Sequence, residues 1–168
     1  MDYHFEKLGP SHSRAVADIF NAHVREGFAA YVETPVDDSF YSLIQGMVRD
    51  YPALAVMREP GETVGFGYMR PYSLIPSLSR TARLTYFLLP EHARRGLGTR
   101  LLDYFEARSG EMGVDALLAD VCSLNPASLA FHEKCGFCEV GRFLRAGRKF
   151  GRDFDIVWMQ KLLPAIGG

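Results

Sequence analysis

The chain has 168 residues, of which 48% are hydrophobic and 23% charged, and its formal net charge is −1. A chain of this length and balance folds around a sizeable core, burying roughly 70% of its unfolded surface. The balance excludes the basic excess of a phosphate-backbone binder, and no apolar run approaches the roughly 18 residues of a membrane helix, so neither a nucleic-acid nor a membrane partner is expected.

Met1 to His4 shows neither the basic start nor the apolar stretch of a secretory signal. The three cysteines (Cys122, Cys135, Cys138) are an odd count. Reduced thiols in the cytoplasm are therefore expected. Cys135 and Cys138 have C-x-x-C spacing, but a zinc site needs two more ligands and a redox pair opens a helix after a strand. Both cysteines are read as packing residues, and no metal is expected.

Residues 3–8 alternate as a first strand, and Gly9-Pro10-Ser11 breaks it. Ser11 is placed to cap a helix whose inner face carries Ala15, Val16, Ile19, Phe20 and His23. An aromatic loop with Phe28 and Tyr31 follows over 28–35. Asp37 or Asp38 caps a second helix with the stripe Phe40, Leu43, Ile44, Met47 and Val48. Residues 53–57 and 63–69 form a hairpin across the turn 59–62. Gly65 and Gly67 share one face of its second strand and allow a close approach there. A loop with two prolines covers 71–79, and residues 80–89 form the next strand.

That strand stops at Pro90, and a short loop with Arg94 and Arg95 leads to Gly96-Leu97-Gly98 and a helix with the stripe Leu97, Leu101 and Phe105, ending near Gly110. A helix N-terminus behind a glycine loop offers unpartnered N–H groups and a positive dipole end to an anion. A dinucleotide turn is excluded, because Leu101 stands where its third glycine belongs, and a nucleotide P-loop is excluded because G-K-[S/T] is absent. Residues 114–121 are a nearly all-apolar strand. Asn125-Pro126 opens a further helix that Gly136 closes. Strands over 137–144 and 154–163 flank a loop over 145–152, and the tail 164–168 is expected to be loose. The order β-α-α-β-β-β-α-β-α-β-β gives a single α/β domain over 1–168, with a mixed, mostly antiparallel sheet of about seven strands and four flanking helices.

The basic loop with Gly96-Leu97-Gly98 resembles the acetyl-CoA pyrophosphate loop of the GCN5-related N-acetyltransferase (GNAT) family. Asn125, Ser128, Phe131-His132-Glu133-Lys134 and Gly136-Phe137 are similar to that family's second motif, one helix and one strand further on. Within it, Ile19-Phe20-Asn21, His132 and the Gly147 to Arg152 segment with Asp155 and Trp158 resemble the phosphinothricin acetyltransferase-like, L-amino acid N-acyltransferase group. The resemblance implies acetyl-CoA as co-substrate, a small amino-acid-like acceptor and often a homodimer. It departs from the family pattern at Ala93, where Gln or Arg is usual.

The resemblance implies that the N–H groups of Arg95, Gly96, Gly98 and Thr99, with Arg94 and Leu97 in the same loop, hold the pyrophosphate. Leu88 and Leu89 would offer backbone to the pantetheine arm, beside Ser128 and Asn125; Asn125 is also a catalytic candidate, placed to cap its helix and to hold the pantetheine or a catalytic water. His132 stands where related proteins carry the tyrosine that protonates the leaving sulfur. The usual glutamate base falls on Arg83, and arginine is no base near neutral pH. A water chain, Asp120 or Glu33 remain open as the base, and Asp120 is equally open to pairing with an arginine. Arg83 is a candidate clamp for a substrate carboxylate. Phe28, Tyr31, Tyr86 and Lys149 are expected around the acceptor. Arg142, Arg145, Arg148, Lys149 and Arg152 form a basic run that is either solvated or meets an acidic group. Trp158 is expected in the core or at a subunit interface. Acetylation of another amine, such as a polyamine or a protein N-terminus, and CoA binding without turnover are the alternatives.

Overall fold

Side chains alternate across each of seven strands, those over Ala53–Arg58 and Ala116–Cys122 being largely apolar on both faces because both faces of the sheet are covered, and four helices flank them. A computed structural model describes residues 2–164. In chain order the elements are β1 (Tyr3–Lys7), α1 (Ser13–Arg25), α2 (Ser39–Val48), β2 (Ala53–Arg58), β3 (Glu62–Pro71), β4 (Thr81–Leu88), α3 (Leu97–Glu111), β5 (Ala116–Cys122), α4 (Pro126–Lys134), β6 (Cys138–Lys149) and β7 (Arg152–Leu162). The strands form one sheet in the order β1-β2-β3-β4-β5-β7-β6. Only β4 and β5 run parallel. The mostly antiparallel α/β architecture is the expected one. Of the expected tail, all but Pro164 lies outside the described residues.

The sheet separates two apolar layers. On one face Leu97, Leu101, Leu102 and Phe105 of α3 pack on Leu54, Met69, Leu84, Leu117 and Val157. On the other, Val16 and Ile19 of α1 and Ile44 and Val48 of α2 pack on Ala55, Met57, Phe66 and Tyr68. Gly67 answers the question of what comes close to β3. A Cβ there would lie 3.1 Å from Tyr86 Cβ and 3.3 Å from the Phe105 ring, so the glycine admits α3 against the sheet.

The parallel register of β4 and β5 covers only Thr81↔Ala116, Ala82↔Leu117 and Arg83↔Leu118. Beyond Arg83 the two strands part, while β4 continues to Leu88 and β5 to Cys122. The edge of β4 that faces β5 has no strand partner there, and the notch joins the two faces of the sheet.

Three local expectations need correction. Leu43 is 58% exposed, because α2 packs through Ile44 and Val48, with Phe40 and Met47 beside them, and turns Leu43 away from the sheet. The first helix opens behind a 3-10 turn, Pro10–His12, in which the His12 imidazole rather than Ser11 meets the Gly9 amide. The segment 145–152 is not a loop: β6 and β7 extend through it to a tight turn at Phe150-Gly151. Strand formation there rests on pairing rather than on local propensity. Gly147 lies face to face with Phe154, where a Cβ would fall 2.3 Å from the ring, and Arg145 adopts a left-handed φ of 47° at the irregularity between Phe143 and Gly147.

Candidate active site

The notch opens into a cavity of about 320 Å³ lined by residues from both faces of the sheet. From the α1 side come Phe28 and Tyr31 of the loop after α1, with Tyr68, Arg70, Arg83 and Asp120 on the strands. From the α3 and α4 side come Tyr86, Asn125, Ser128 and His132. Of the residues expected around the acceptor, Phe28, Tyr31, Arg83 and Tyr86 are thus brought together. Asn125 does cap α4, its Oδ1 accepting from the Ser128 N–H at 3.2 Å, and it lines the cavity as well.

Register places a row of charge along one face of the sheet. Arg70 faces Arg83 across β3 and β4, and Asp120 faces Trp158 across β5 and β7. Arg83 Nη2 donates to Asp120 Oδ1 at 2.6 Å, and its guanidinium lies 4.9 Å over the Trp158 ring. The Tyr31 hydroxyl donates to Asp120 Oδ2 at 3.2 Å. Of the two readings left open for Asp120, pairing with an arginine is the one seen.

Sequence reading missed Arg70, which no carboxylate of the described residues pairs. Its Nε is buried without a hydrogen-bond partner, and burial, with Arg83 beside it, pushes its pKa below the usual arginine value. The cross-strand pairing with Arg83 was the available signal, since two arginines opposite each other in a cavity call for more negative charge than Asp120 supplies.

His132 is buried on α4. Its Nδ1 lies 2.7 Å from the Ser128 carbonyl, and a carbonyl only accepts, so Nδ1 carries the hydrogen. Burial depresses its pKa below the usual histidine value. In the neutral ring, Nε2 is then an acceptor, and the Tyr86 hydroxyl donates to it at 2.5 Å. The rings of Tyr86 and His132 stack at 5.7 Å.

His23 is also depressed by burial, its Nε2–H donating to the Leu88 carbonyl at 2.8 Å, with Lys149 as the nearby cation. These two histidines make folding sensitive to mild acid. Their folded pKa values lie below the unfolded value near 6.5, so as pH falls below 6.5 the unfolded chain takes up protons that the folded chain refuses. Stability is retained above pH 6.5 and declines beneath it, by at most about 2.7 kcal/mol per pH unit for two sites. Urea midpoints measured from pH 7.5 to 5.5 should fall below pH 6.5, and the slope should shrink in His23→Gln.

Lys149 does not line the cavity. It is fully buried, and its Nζ donates to the carbonyls of Ala30 at 2.8 Å and His23 at 3.2 Å. Because β6 extends to the hairpin tip, this side chain turns inward and clasps the loop that carries Phe28 and Tyr31. Glu33, the other candidate base, accepts from the Phe150 N–H at 2.9 Å in the same clasp and does not line the cavity. The basic run is dispersed: Arg142 pairs with Glu139 and Asp155, Arg148 with Asp153, and Arg152 lies over Phe28. Trp158 is partly buried beneath Arg83, and its Nε1 has no partner among the described residues.

On the opposite face Gly96 precedes the first residue of α3, and its φ of 76° follows a left-handed Arg94 at 60°. No side chain caps this terminus, and the first helical N–H to reach an i−4 carbonyl is that of Arg100, 3.0 Å from the Gly96 oxygen. The amides of Gly96, Leu97, Gly98 and Thr99 form the open end of the helix, a concavity suited to a phosphate. Leu97 is buried in the core and the side chains of Leu88 and Leu89 pack against it, while the Leu88 carbonyl accepts from His23. Gly98 also has a packing role, since a Cβ would stand 3.2 Å from the Phe131 ring of α4. Gly98→Val should therefore raise the KM for a CoA thioester at least about tenfold, because a branched side chain costs roughly 1–3 kcal/mol of overpacking where the helix must meet its ligand. Steady-state kinetics at saturating acceptor read this out.

Among the described residues no group of three His, Cys, Asp or Glu side chains is placed to hold a metal ion, and no helix is long and apolar enough to cross a membrane. All three cysteines are free, with Cys135 packed against the core and Cys138 exposed.

The sequence profile of the acetyltransferase (GNAT) family matches residues 16–137. Phosphinothricin N-acetyltransferase of Alcaligenes faecalis is 34% identical over 154 residues, which cover 90% of this chain and 78% of that protein. L-methionine sulfoximine/L-methionine sulfone acetyltransferase of Pseudomonas aeruginosa is 28% identical over 84% of each chain. A crystal structure of a GNAT superfamily phosphinothricin acetyltransferase from Sinorhizobium meliloti in complex with acetyl-CoA superposes with a TM-score of 0.89 at 25% identity, over 97% of this chain and 89% of that one.

Proposed function

Because the chain belongs to the acetyltransferase (GNAT) family, we propose that it transfers the acetyl group of acetyl-CoA to the amino group of a small, carboxylate-bearing acceptor of the phosphinothricin or methionine sulfoximine type. The observation that carries the acceptor class is Arg70, a guanidinium in the cavity with a buried Nε and no acidic partner among the described residues. A bound carboxylate would supply the anion, and Asp120 leaves Arg70 free for it by engaging Arg83. Phe28 and Tyr31 would close over the acceptor, held in place by Lys149.

The open amides of Gly96 to Thr99 fit the pyrophosphate of acetyl-CoA, with Arg94 and Arg95 exposed beside them. The unpaired edge of β4 beyond Arg83 fits the pantetheine arm, with Asn125 and Ser128 at its end. Acetyl-CoA supplies the activated acyl carbon. The chain brings the amine to it through the notch, from the other face of the sheet.

A homodimer belongs to this reading. Val140, Phe143 and Leu144 are exposed apolar residues on β6, the edge strand, and a second copy would cover them. The cytoplasm, a reducing compartment, suits the three free cysteines.

Thiol release from acetyl-CoA tests the proposal, measured with amino acids, methionine sulfone and sulfoximine, phosphinothricin, polyamines and an alanyl peptide, each product confirmed by mass. Turnover confined to acceptors with a free α-carboxylate is expected. Turnover with polyamine or peptide alone would overturn the acceptor class. Tight acetyl-CoA binding by calorimetry without turnover would favour a CoA-binding module.

A further inference from the structure

Among the described residues no carboxylate is free to act as base at this site, since Asp120 is held by Arg83 and Tyr31 and Glu33 lies outside the cavity. We propose that the Tyr86 hydroxyl and His132 together are the base, with Tyr86 taking a proton from the acceptor's ammonium group while handing its own to His132 Nε2. This rests on the acetyl-transfer reading of the cavity.

The polarity of the hydrogen bonds is the argument. His132 Nδ1–H is committed to the Ser128 carbonyl, so the neutral ring has no N–H left for a leaving sulfur. Its Nε2 is an acceptor, and the Tyr86 hydroxyl already points at it from 2.5 Å. The acid role expected of His132 thus gives way to proton acceptance. Tyr86 belongs to the α3 face of the sheet, opposite Gly67, whose missing side chain admits Leu101 and Phe105 behind it. The notch exposes Tyr86 and His132 to the same cavity as Arg70 and Arg83. An acceptor whose carboxylate meets Arg70 enters this cavity with its amino group to be placed against Tyr86.

Both pKa shifts suit a concerted transfer. Burial raises the Tyr86 hydroxyl, so a free phenolate is disfavoured and both protons move together. Burial keeps His132 neutral near pH 7, ready to accept. Among the described residues the titratable groups near the pair are Asp120 on β5, whose charge favours the imidazolium, and Cys135 at the end of α4, whose thiol burial keeps protonated and so uncharged.

The protons balance. One ammonium N–H bond breaks, its proton goes to the Tyr86 oxygen, and the Tyr86 proton goes to Nε2. The amine's freed lone pair then forms the N–C bond as the C–S bond breaks and its electron pair leaves with sulfur. The amine's second proton ends on that sulfur, and the imidazolium releases its proton to solvent.

The test is the pH dependence of kcat/KM in wild type and Tyr86→Phe. Wild type should show an acidic limb with an inflection below pH 6.5 and a plateau above it. Tyr86→Phe should lose about 100-fold near pH 7, since general-base catalysis is worth 10²–10⁴. Its rate should climb tenfold per pH unit towards the amine pKa, because only an acceptor that arrives neutral then reacts. Calorimetric acetyl-CoA affinity should stay within twofold. An unchanged profile in Tyr86→Phe would overturn the proposal. Nitrogen-15 NMR of histidine-labelled protein without substrates supplies a readout independent of turnover. An unprotonated His132 Nε2 at pH 7.5 is expected, and a protonated Nε2 would overturn the relay. Wild-type inactivity across the acceptor panel would instead count against the acetyl-transfer reading, leaving the NMR result to stand by itself.

Discussion

Arg70→Met should raise the KM for a carboxylate-bearing acceptor about 100-fold, leave the KM for acetyl-CoA unchanged and lower kcat little. A charge-assisted hydrogen bond to a carboxylate contributes about 1.5–3 kcal/mol, which is roughly tenfold to 150-fold in affinity, and a bidentate contact lies at the upper end. The interaction forms on acceptor binding and is kept through reaction, so its loss falls on KM. Stability gives the control. Arg70 sits opposite Arg83, and Asp120 is engaged by Arg83 rather than Arg70. Removing one of two facing cations should leave the urea midpoint unchanged or raise it. A KM effect accompanied by a large loss of stability would show that Arg70 supports the fold instead. Arg70→Lys should restore little, because an ammonium cannot reproduce the planar fork.

Asp120→Asn should do the reverse, costing stability first. The Arg83 and Asp120 side chains are 22% and 18% exposed, so the pair is partly desolvated. Breaking a fully buried pair costs roughly 3–5 kcal/mol, and discounting for this exposure leaves about 2–3. Arg83 would then face Arg70 with no counter-charge, and Tyr31 would lose the Oδ2 acceptor that helps hold its loop over the cavity. For a chain of this size the melting temperature should drop by roughly 5–10 °C. Replacing both partners, as Arg83→Met with Asp120→Leu, should recover most of the loss, which a double-mutant cycle measures. The acidic limb of the pH–rate profile should persist in Asp120→Asn. Disappearance of that limb would make Asp120 the base and remove the case for Tyr86.

The fold was largely legible because its signals are local. The apolar run of β2, the stripe of α3, Asn125-Pro126 before α4 and Gly136 after it each report a local preference that needs no distant partner. The segment 145–152 was not, because its strand character comes from pairing with β7 and from Phe154 seated on Gly147. At the cavity the same division holds. Arg83 was placed by its distance from Gly96, and Phe28, Tyr31 and Tyr86 were expected around the acceptor from the resemblance, whereas Arg70 and the inward turn of Lys149 depend on cross-strand register and hairpin length. Sequence named His132, but the direction of its hydrogen bonds is set by the Ser128 carbonyl and the Tyr86 hydroxyl, which only three-dimensional packing brings to it.

The most direct test of the central claim is kcat/KM for methionine sulfone against the same amine lacking its α-carboxylate. If Arg70 receives the acceptor's carboxylate, the carboxylate-bearing compound should be favoured by about 100-fold in wild type, and the preference should collapse towards unity in Arg70→Met. Equal efficiency for the two amines in wild type would contradict the account and remove carboxylate recognition from this cavity.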